Sequence, residues 1–115
     1  MSGAAAPAPF LEALERERRA YADALPGRIR ALRELWRAVP AGGEARAGLE
    51  SVERAAHGLA GSGAIFGFER LSAEARALEI ELRSLIDMGA GPPDAEALVE
   101  SALARIEASL GTGRP

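Results

Sequence analysis

The feature that most constrains this chain is the spacing of its apolar residues, which recur every three and four positions from residue 10 to residue 110. That spacing places side chains along one face of an α-helix, whereas a half-buried strand would alternate apolar and polar residues. No stretch alternates in that way with β-branched residues, so no sheet is expected. The predicted fold class is therefore all-α.

Proline and glycine clusters divide the helical pattern into segments joined by short loops. The predicted segments cover residues 10–25, 27–39, 44–65, 68–88 and 93–110. At the first break, Pro26 either kinks one long helix or separates two, and the sequence leaves both possibilities open. Four or five amphipathic helices with short loops predict an antiparallel four-helix bundle with an additional N-terminal helix.

Each segment carries an apolar stripe that we expect to form the core. The stripes are Leu11, Leu14, Tyr21 and Leu25, interrupted by Arg18; Ile29, Leu32, Trp36 and Val39; Leu49, Val52, Ala56, Leu59 and Gly63; Leu71, Ala75, Leu78, Leu82 and Leu85; and Val99, Leu103, Ile106 and Leu110. At 115 residues the chain is long enough for one modest core. One helical domain is expected over residues 10–110, between a disordered tail at 1–9 and a tail at 111–115.

Residue usage excludes several kinds of site. The chain has no cysteine and one histidine, which excludes disulfides, thiol nucleophiles and metal sites built from Cys or several His residues. The net charge of −3 and the mixed charge pattern give no basic footprint for nucleic acid. No secretory signal and no membrane-length apolar run is evident, so a soluble cytoplasmic domain is expected.

The single histidine, His57, lies in the glycine-rich stretch HGLAGSGAIFGF. At about 100° per residue, His57 lies roughly 120° from the centre of its helix's apolar stripe and should face outward. Its neighbours within two turns include Glu53, Arg54, Ala60, Gly61 and Ala64. This face of the helix therefore carries charged side chains on the N-terminal side of His57 and only small residues on its C-terminal side. The small residues would let a partner approach the imidazole.

The other glycines of this stretch have different predicted roles. Gly63 lies on the inner stripe, where it would allow another helix to approach, and Gly67 is placed to end the helix. Gly58 points away from the core, and no role is predicted for it. A lone helical histidine is most often a solvated residue, and a glycine cluster is as often a helix crossing as a binding surface, so this pattern alone does not decide the function.

Residues 55–79, AAHGLAGSGAIFGFERLSAEARALE, resemble the motif of the histidine-containing phosphotransfer (HPt) domain family. The matching positions are His57, Leu59, Ala60-Gly61, Ser62-Gly63, Gly67, Leu71 and Leu78-Glu79. The motif covers about 25 residues, and the number and length of the helices around it agree with the family. The resemblance therefore extends to most of the chain.

The resemblance implies a phosphorelay carrier of a bacterial two-component system, with His57 as the phosphoacceptor. A receiver domain would bring an aspartyl phosphate, and a second receiver would later take the group from His57. The implied partners are response regulator receivers and a hybrid sensor histidine kinase. The implied carrier needs no cofactor, because Mg²⁺ belongs to the receiver, and it is expected to be a monomer. No ATP-binding loop is present, so the chain is not predicted to be a kinase.

One position departs from the family pattern. Where the family usually has a lysine three residues after the histidine, this chain has Ala60. Arg54, one turn before His57, is the candidate to supply the missing charge, and Glu53 is the candidate to accept the ring proton and orient the imidazole. Together with Ala60, Gly61 and Ala64, these two residues form the predicted contact surface for a partner.

Two other functions stay open. The bundle would also serve as an adaptor that binds a receiver or kinase without taking phosphate, and the missing lysine is compatible with that alternative. A histidine-dependent hydrolase is the third hypothesis, although no Ser, Asp or Glu constellation around the imidazole supports it.

Overall fold

The computed structural model describes residues 7–41 and 44–112, which form four α-helices and no strand. The helices are α1 (Ala8–Arg37), α2 (Ala45–Ile65), α3 (Glu69–Met88) and α4 (Pro92–Thr112). The all-α prediction is confirmed. The predicted limits of the third and fourth segments agree with α2 and α3 to within one residue, because glycine-containing turns end both helices.

The four helices form an antiparallel bundle in which each helix packs against its neighbours in sequence and α1 packs against α4. Tyr21 near the middle of α1 hydrogen-bonds Ser62 near the end of α2, with 2.7 Å between the oxygens. Near the C-terminal end of α1, Trp36 Nε1 donates to Glu100 in the first half of α4, over 3.1 Å. The order of these contacts along the helices gives the up-down-up-down topology.

The additional N-terminal helix predicted from the sequence is absent from the described residues, because Pro26 lies inside the continuous helix α1. A proline in a helix interior costs about 3 kcal/mol. Its neighbours Leu25 and Ile29 are 1% and 2% exposed, and burying two such side chains contributes roughly 1.5–3 kcal/mol each. Core packing on both sides of Pro26 therefore offsets the lost backbone hydrogen bond.

The ends of the chain also differ from the predicted boundaries. Ala8 and Pro9, predicted to belong to the N-terminal tail, form the first turn of α1. A proline is tolerated there, because the first N–H groups of a helix have no intrahelical acceptor. At the other end α4 continues to Thr112. The predicted tails at 1–6 and 113–115 lie outside the described residues.

Most residues of the predicted stripes form the core, but Leu85 and Leu110 are only partly buried, and Ile86, next to Leu85, is buried instead. Leu25, Leu32, Val52, Leu78, Leu103 and their stripe neighbours are almost completely buried. Leu11 and Leu14, predicted to be core residues, are instead 50% and 48% exposed. At 1.5 Å per residue α1 is about 45 Å long and its neighbours are about 30 Å, so the first turns of α1 lack a full set of helices to pack against.

A three-residue turn, residues 66–68, sets the register between α2 and α3. Gly67 has φ = +83°, a backbone conformation that disfavours any residue with a Cβ. Gly63 is buried, and a Cβ there would lie 3.4 Å from the backbone of Phe68 and of Ser72. The predicted roles of these two glycines are confirmed, and the tight turn brings the middle of α2 opposite the middle of α3.

Candidate functional site

His57 lies in the middle of α2 with its side chain 71% exposed, so the predicted outward orientation is confirmed. The apolar stripe on the other side of the helix fixes this orientation, because Ala56 and Leu59 are 0% and 2% exposed. A long helix held by its core residues fixes the position of the His57 backbone relative to the bundle.

One nitrogen of the imidazole is held by a carboxylate from α3. His57 Nδ1 lies 2.8 Å from Glu79 Oε2. An ionised carboxylate only accepts hydrogen bonds, so in the neutral ring Nδ1 carries the proton and Nε2 keeps its lone pair. Nε2 makes no hydrogen bond with any residue in the described part of the chain. The arrangement presents a nucleophilic nitrogen to solvent.

Glu79 is more buried than the histidine it contacts. Its side chain is only 20% exposed, and Oε1 is buried without a hydrogen-bond partner among the described residues. Leaving such an oxygen unpaired costs about 1–3 kcal/mol. Glu79 is therefore a largely buried carboxylate whose hydrogen bond with His57 is made by Oε2.

The prediction that Glu53 orients the imidazole is wrong. The side chain of Glu53 is 13% exposed and both of its oxygens accept hydrogen bonds from Arg83 on α3, including one of 2.9 Å from Nε. This bidentate pair raises the pKa of Arg83 above its ordinary value. Glu53 points to α3 one turn away from His57, and its charge is already neutralised.

Sequence reasoning assigned no role to Glu79, although the residue belongs to the Leu78-Glu79 pair of the family motif. Leu78 is fully buried. The residue next to a core position of α3 lies at the edge of the helix interface, within reach of α2. The family motif was the sequence feature from which a role for Glu79 could have been predicted. Only the register of α2 against α3 shows that Glu79 contacts His57.

The bare surface beyond His57 consists of Gly61 and Ala64, both exposed. A Cβ added at Gly61 would meet nothing within 4 Å, so the glycine is not required by packing inside the bundle. Ala60, predicted to lie on this surface, is instead 1% exposed, and its carbonyl accepts a 2.6 Å hydrogen bond from Ser72 on α3. Its prediction as a surface contact is wrong, because Ala60 faces α3.

Arg54 lies on the other side of His57, toward α1. It is exposed, and its guanidinium donates to Ser51 over 3.3 Å. The structure gives it no hydrogen bond to the imidazole. The imidazole thus has the carboxylate of Glu79 on its α3 side and the guanidinium of Arg54 on its α1 side.

A family model for the Hpt domain matches residues 8–110. The chain belongs to the Hpt domain family. Hpt domains are phosphocarriers of two-component systems rather than kinases, and they interact with receiver domains and histidine kinases. The helical bundle and the exposed histidine agree with this membership. Neither the curated proteins nor the solved structures gave a match to the chain.

The described residues contain neither a group of metal ligands nor a membrane-spanning helix. In residues 7–41 and 44–112, no three His, Asp or Glu side chains are grouped so that they would hold a metal ion. Within the same ranges no helix is both long and apolar enough to cross a membrane.

Proposed function

We propose that this Hpt domain accepts a phosphoryl group on His57 Nε2 from an aspartyl phosphate of one receiver domain and passes it to an aspartate of another. The observation that carries the proposal is the 2.8 Å contact between His57 Nδ1 and Glu79, which leaves Nε2 free at the centre of an open surface. Membership of the Hpt family supports phosphotransfer in general. Transfer from one receiver domain to another is the part that this proposal adds.

In the proposed reaction the Nε2 lone pair attacks phosphorus as the bond to the aspartyl oxygen breaks, and the aspartate leaves as a carboxylate. The proton stays on Nδ1, so the phosphorylated ring carries a positive charge. Glu79 offsets that charge and keeps the ring in position. In the second transfer, a carboxylate of the next receiver attacks phosphorus, and the neutral imidazole leaves.

The protein's own contribution is positioning. Gly61 and Ala64 leave room for the receiver to bring its phosphoryl group to Nε2 in line. Ile65, at the end of the same surface, is 79% exposed and offers an apolar contact. The divalent ion that neutralises the phosphoryl oxygens belongs to the receiver, so the proposal needs no cofactor and no ATP site in this chain.

The partners in this proposal are response regulator receivers and a hybrid sensor histidine kinase, met in the cytoplasm by a monomeric carrier. A transfer profile against all receivers of the source organism would identify them. In each reaction, the carrier is incubated with a receiver labelled on its aspartyl phosphate.

The deciding experiment compares the wild-type chain with His57→Gln. We expect an acid-labile, base-stable label on the wild type and none on the variant, and chase of that label onto a second receiver. Receiver binding without any label on the wild type would contradict the proposal and favour the adaptor that binds without taking phosphate, the alternative with which Ala60 in place of the usual lysine is compatible.

A further inference from the structure

A groove between α1 and α2 opens directly beside His57 and encloses about 290 Å³. Its apolar walls come from both helices, and two arginines, Arg28 of α1 and Arg54 of α2, stand on opposite sides of it. The residues that line the groove are Arg28, Ala31, Leu32, Leu35, Arg54, Ala55, Gly58 and Leu59. None of these lining residues is acidic.

The two guanidinium groups are held by neutral partners. Arg28 donates to Ser62 Oγ over 3.1 Å and lies over the ring of Tyr21, 5.6 Å from its centroid. Arg54 donates to Ser51 Oγ. Neither has a carboxylate within 4 Å in the described part of the chain, whereas Arg83 binds a carboxylate with two of its nitrogens. Most N–H donors of Arg28 and Arg54 thus stay open to an anion from outside.

Gly58 is the second, independent sign that the groove is kept open. It follows His57 directly in the middle of α2, where glycine costs about 0.5–1 kcal/mol relative to alanine. A Cβ at Gly58 would meet nothing within 4 Å, so close packing inside the bundle does not explain the glycine. A longer side chain there would project into the groove between the two arginines.

From these observations we infer that the groove is a docking site for an acidic segment of the partner receiver domain, one that carries an aspartate or glutamate between Arg28 and Arg54. This inference rests on the proposed function. Charge complementarity identifies the occupant, because two unneutralised guanidinium groups across an open floor favour carboxylates. Leu35, 39% exposed at the groove, supplies apolar contact for the same segment.

The position of the groove gives it a second effect on docking. The α3 side of His57 carries the carboxylate of Glu79 against the ring, while the α1 side carries the open guanidinium groups. A receiver with an acidic segment is attracted to one side of the imidazole and repelled from the other. The groove therefore selects the partner and orients it on the bundle.

The test uses the receiver domain that transfers fastest in the profile described above. The variants are Arg28→Glu with Arg54→Glu, and Gly58→Leu in an otherwise wild-type chain. Arg30→Glu is the control, because Arg30 is exposed on α1, outside the groove. Measurements are the Kd for the unphosphorylated receiver at low and high salt, the transfer rate, and chemical labelling of His57 by phosphoramidate, which needs no docking.

We expect the double reversal and Gly58→Leu each to weaken receiver binding by about tenfold or more. The double reversal should also flatten the salt dependence of the Kd. Arg30→Glu should change the Kd less than about twofold. Labelling by phosphoramidate should stay at the wild-type level in Gly58→Leu and in Arg30→Glu, because His57, Arg54 and Glu79 are untouched.

Unchanged receiver binding in the groove variants, with transfer to His57 intact, would overturn the inference and leave the proposed function standing. So would loss of phosphoramidate labelling in Gly58→Leu, since that substitution would then act on the imidazole rather than on docking of the partner. Absence of transfer from every receiver would overturn the proposed function, and this inference with it.

Discussion

Glu79 Oε2 of α3 lies 2.8 Å from Nδ1 of His57 across the helix interface, and its second oxygen is buried with no partner in the described part of the chain. The pair joins two helices: α2 supplies the imidazole ring and α3 supplies the carboxylate that contacts it. The pair leaves Nε2 exposed, as in-line attack on a phosphoryl group requires.

Replacing Glu79 should therefore slow phosphotransfer without unfolding the chain. A hydrogen bond to a charged group contributes about 1.5–3 kcal/mol, so we expect Glu79→Ala to lower the transfer rate about 10- to 100-fold. Glu79→Gln keeps an acceptor oxygen but loses the charge, and its rate should fall between those of the wild type and Glu79→Ala. Quench-flow with a labelled receiver measures the rates.

The matched control is Glu53→Gln, which removes the ion pair with Arg83 but leaves the hydrogen bond between Glu79 and His57 intact. Its effect on the transfer rate should be much smaller than that of Glu79→Ala. Equal loss in the two variants would mean that the carboxylates between α2 and α3 act through general electrostatics, and that Glu79 has no special position.

Two substitutions at Gly61 should have opposite effects, one raising the stability of the fold and the other blocking phosphotransfer. Because a Cβ meets nothing there, Gly61→Ala should raise the free energy of unfolding by about 0.5–1 kcal/mol. Gly61→Arg should leave the fold intact but block the approach of the receiver to His57. Urea denaturation and the transfer assay check the two effects; wild-type transfer by Gly61→Arg would show that the receiver does not cross this surface.

Gly67 is the contrasting glycine, because its φ of +83° is needed for the turn between α2 and α3. Gly67→Ala should lower the free energy of unfolding by about 1–2 kcal/mol. The same urea titration gives the value. A stabilising Gly67→Ala would mean that the turn adopts another conformation.

Pro26 allows a direct test of the continuity of α1. Alanine restores the backbone donor inside the helix, so Pro26→Ala should raise the free energy of unfolding by about 1–3 kcal/mol and increase the helical circular dichroism slightly. Gly27→Ala, at the next position of the same helix, is the control for helix propensity alone. If Pro26→Ala stabilises no more than Gly27→Ala, or destabilises, the helix does not run through this position.

The hydrogen bonds of Glu100 on α4 with Arg33 and Trp36 on α1 form a clamp between the two helices. This clamp predicts a loss of stability in acid. Arg33 hydrogen-bonds Glu100 over 2.6 Å and lowers the pKa of that carboxyl below its ordinary value, and Trp36 adds a second hydrogen bond. A carboxyl whose pKa is lower in the folded state contributes stability above its unfolded pKa of about 4.5. That contribution is lost as the pH falls through the folded pKa.

Urea denaturation at pH 7 and at successively lower pH from 5 to 3 measures this effect. The free energy of unfolding should fall less between pH 7 and pH 3 in Glu100→Gln than in the wild type. Arg33→Ala should lower the free energy of unfolding at pH 7 by on the order of 1 kcal/mol. An acid dependence identical in wild type and Glu100→Gln would exclude this clamp as its source.

Several parts of the site followed from local pattern. The stripe through Ala56 and Leu59 placed His57 on the outer face, and the glycines at 61, 63 and 67 were assigned to an open surface, a helix contact and a helix end. Each of these depends on the period of a single helix or on the conformational range of one residue. Such properties are readable without knowing where the other helices lie.

The hydrogen-bond partner of the imidazole could not be predicted from local pattern. Glu53 and Glu79 are both carboxylates near His57 in the folded chain, and only the register of α3 against α2 decides that Glu79 reaches the ring while Glu53 meets Arg83. The burial of Ala60 has the same origin. A shift of α3 by one residue would change which side chains face α2.

The sequence by itself determined the all-α fold, the core stripes and the outward histidine, because each follows from periodic burial along one helix. Tertiary structure alone decided that α1 continues through Pro26, that Leu11 and Leu14 stay exposed, and that Glu79 holds His57. These features depend on the lengths and relative register of packed helices, where the burial of neighbouring residues outweighs local preference.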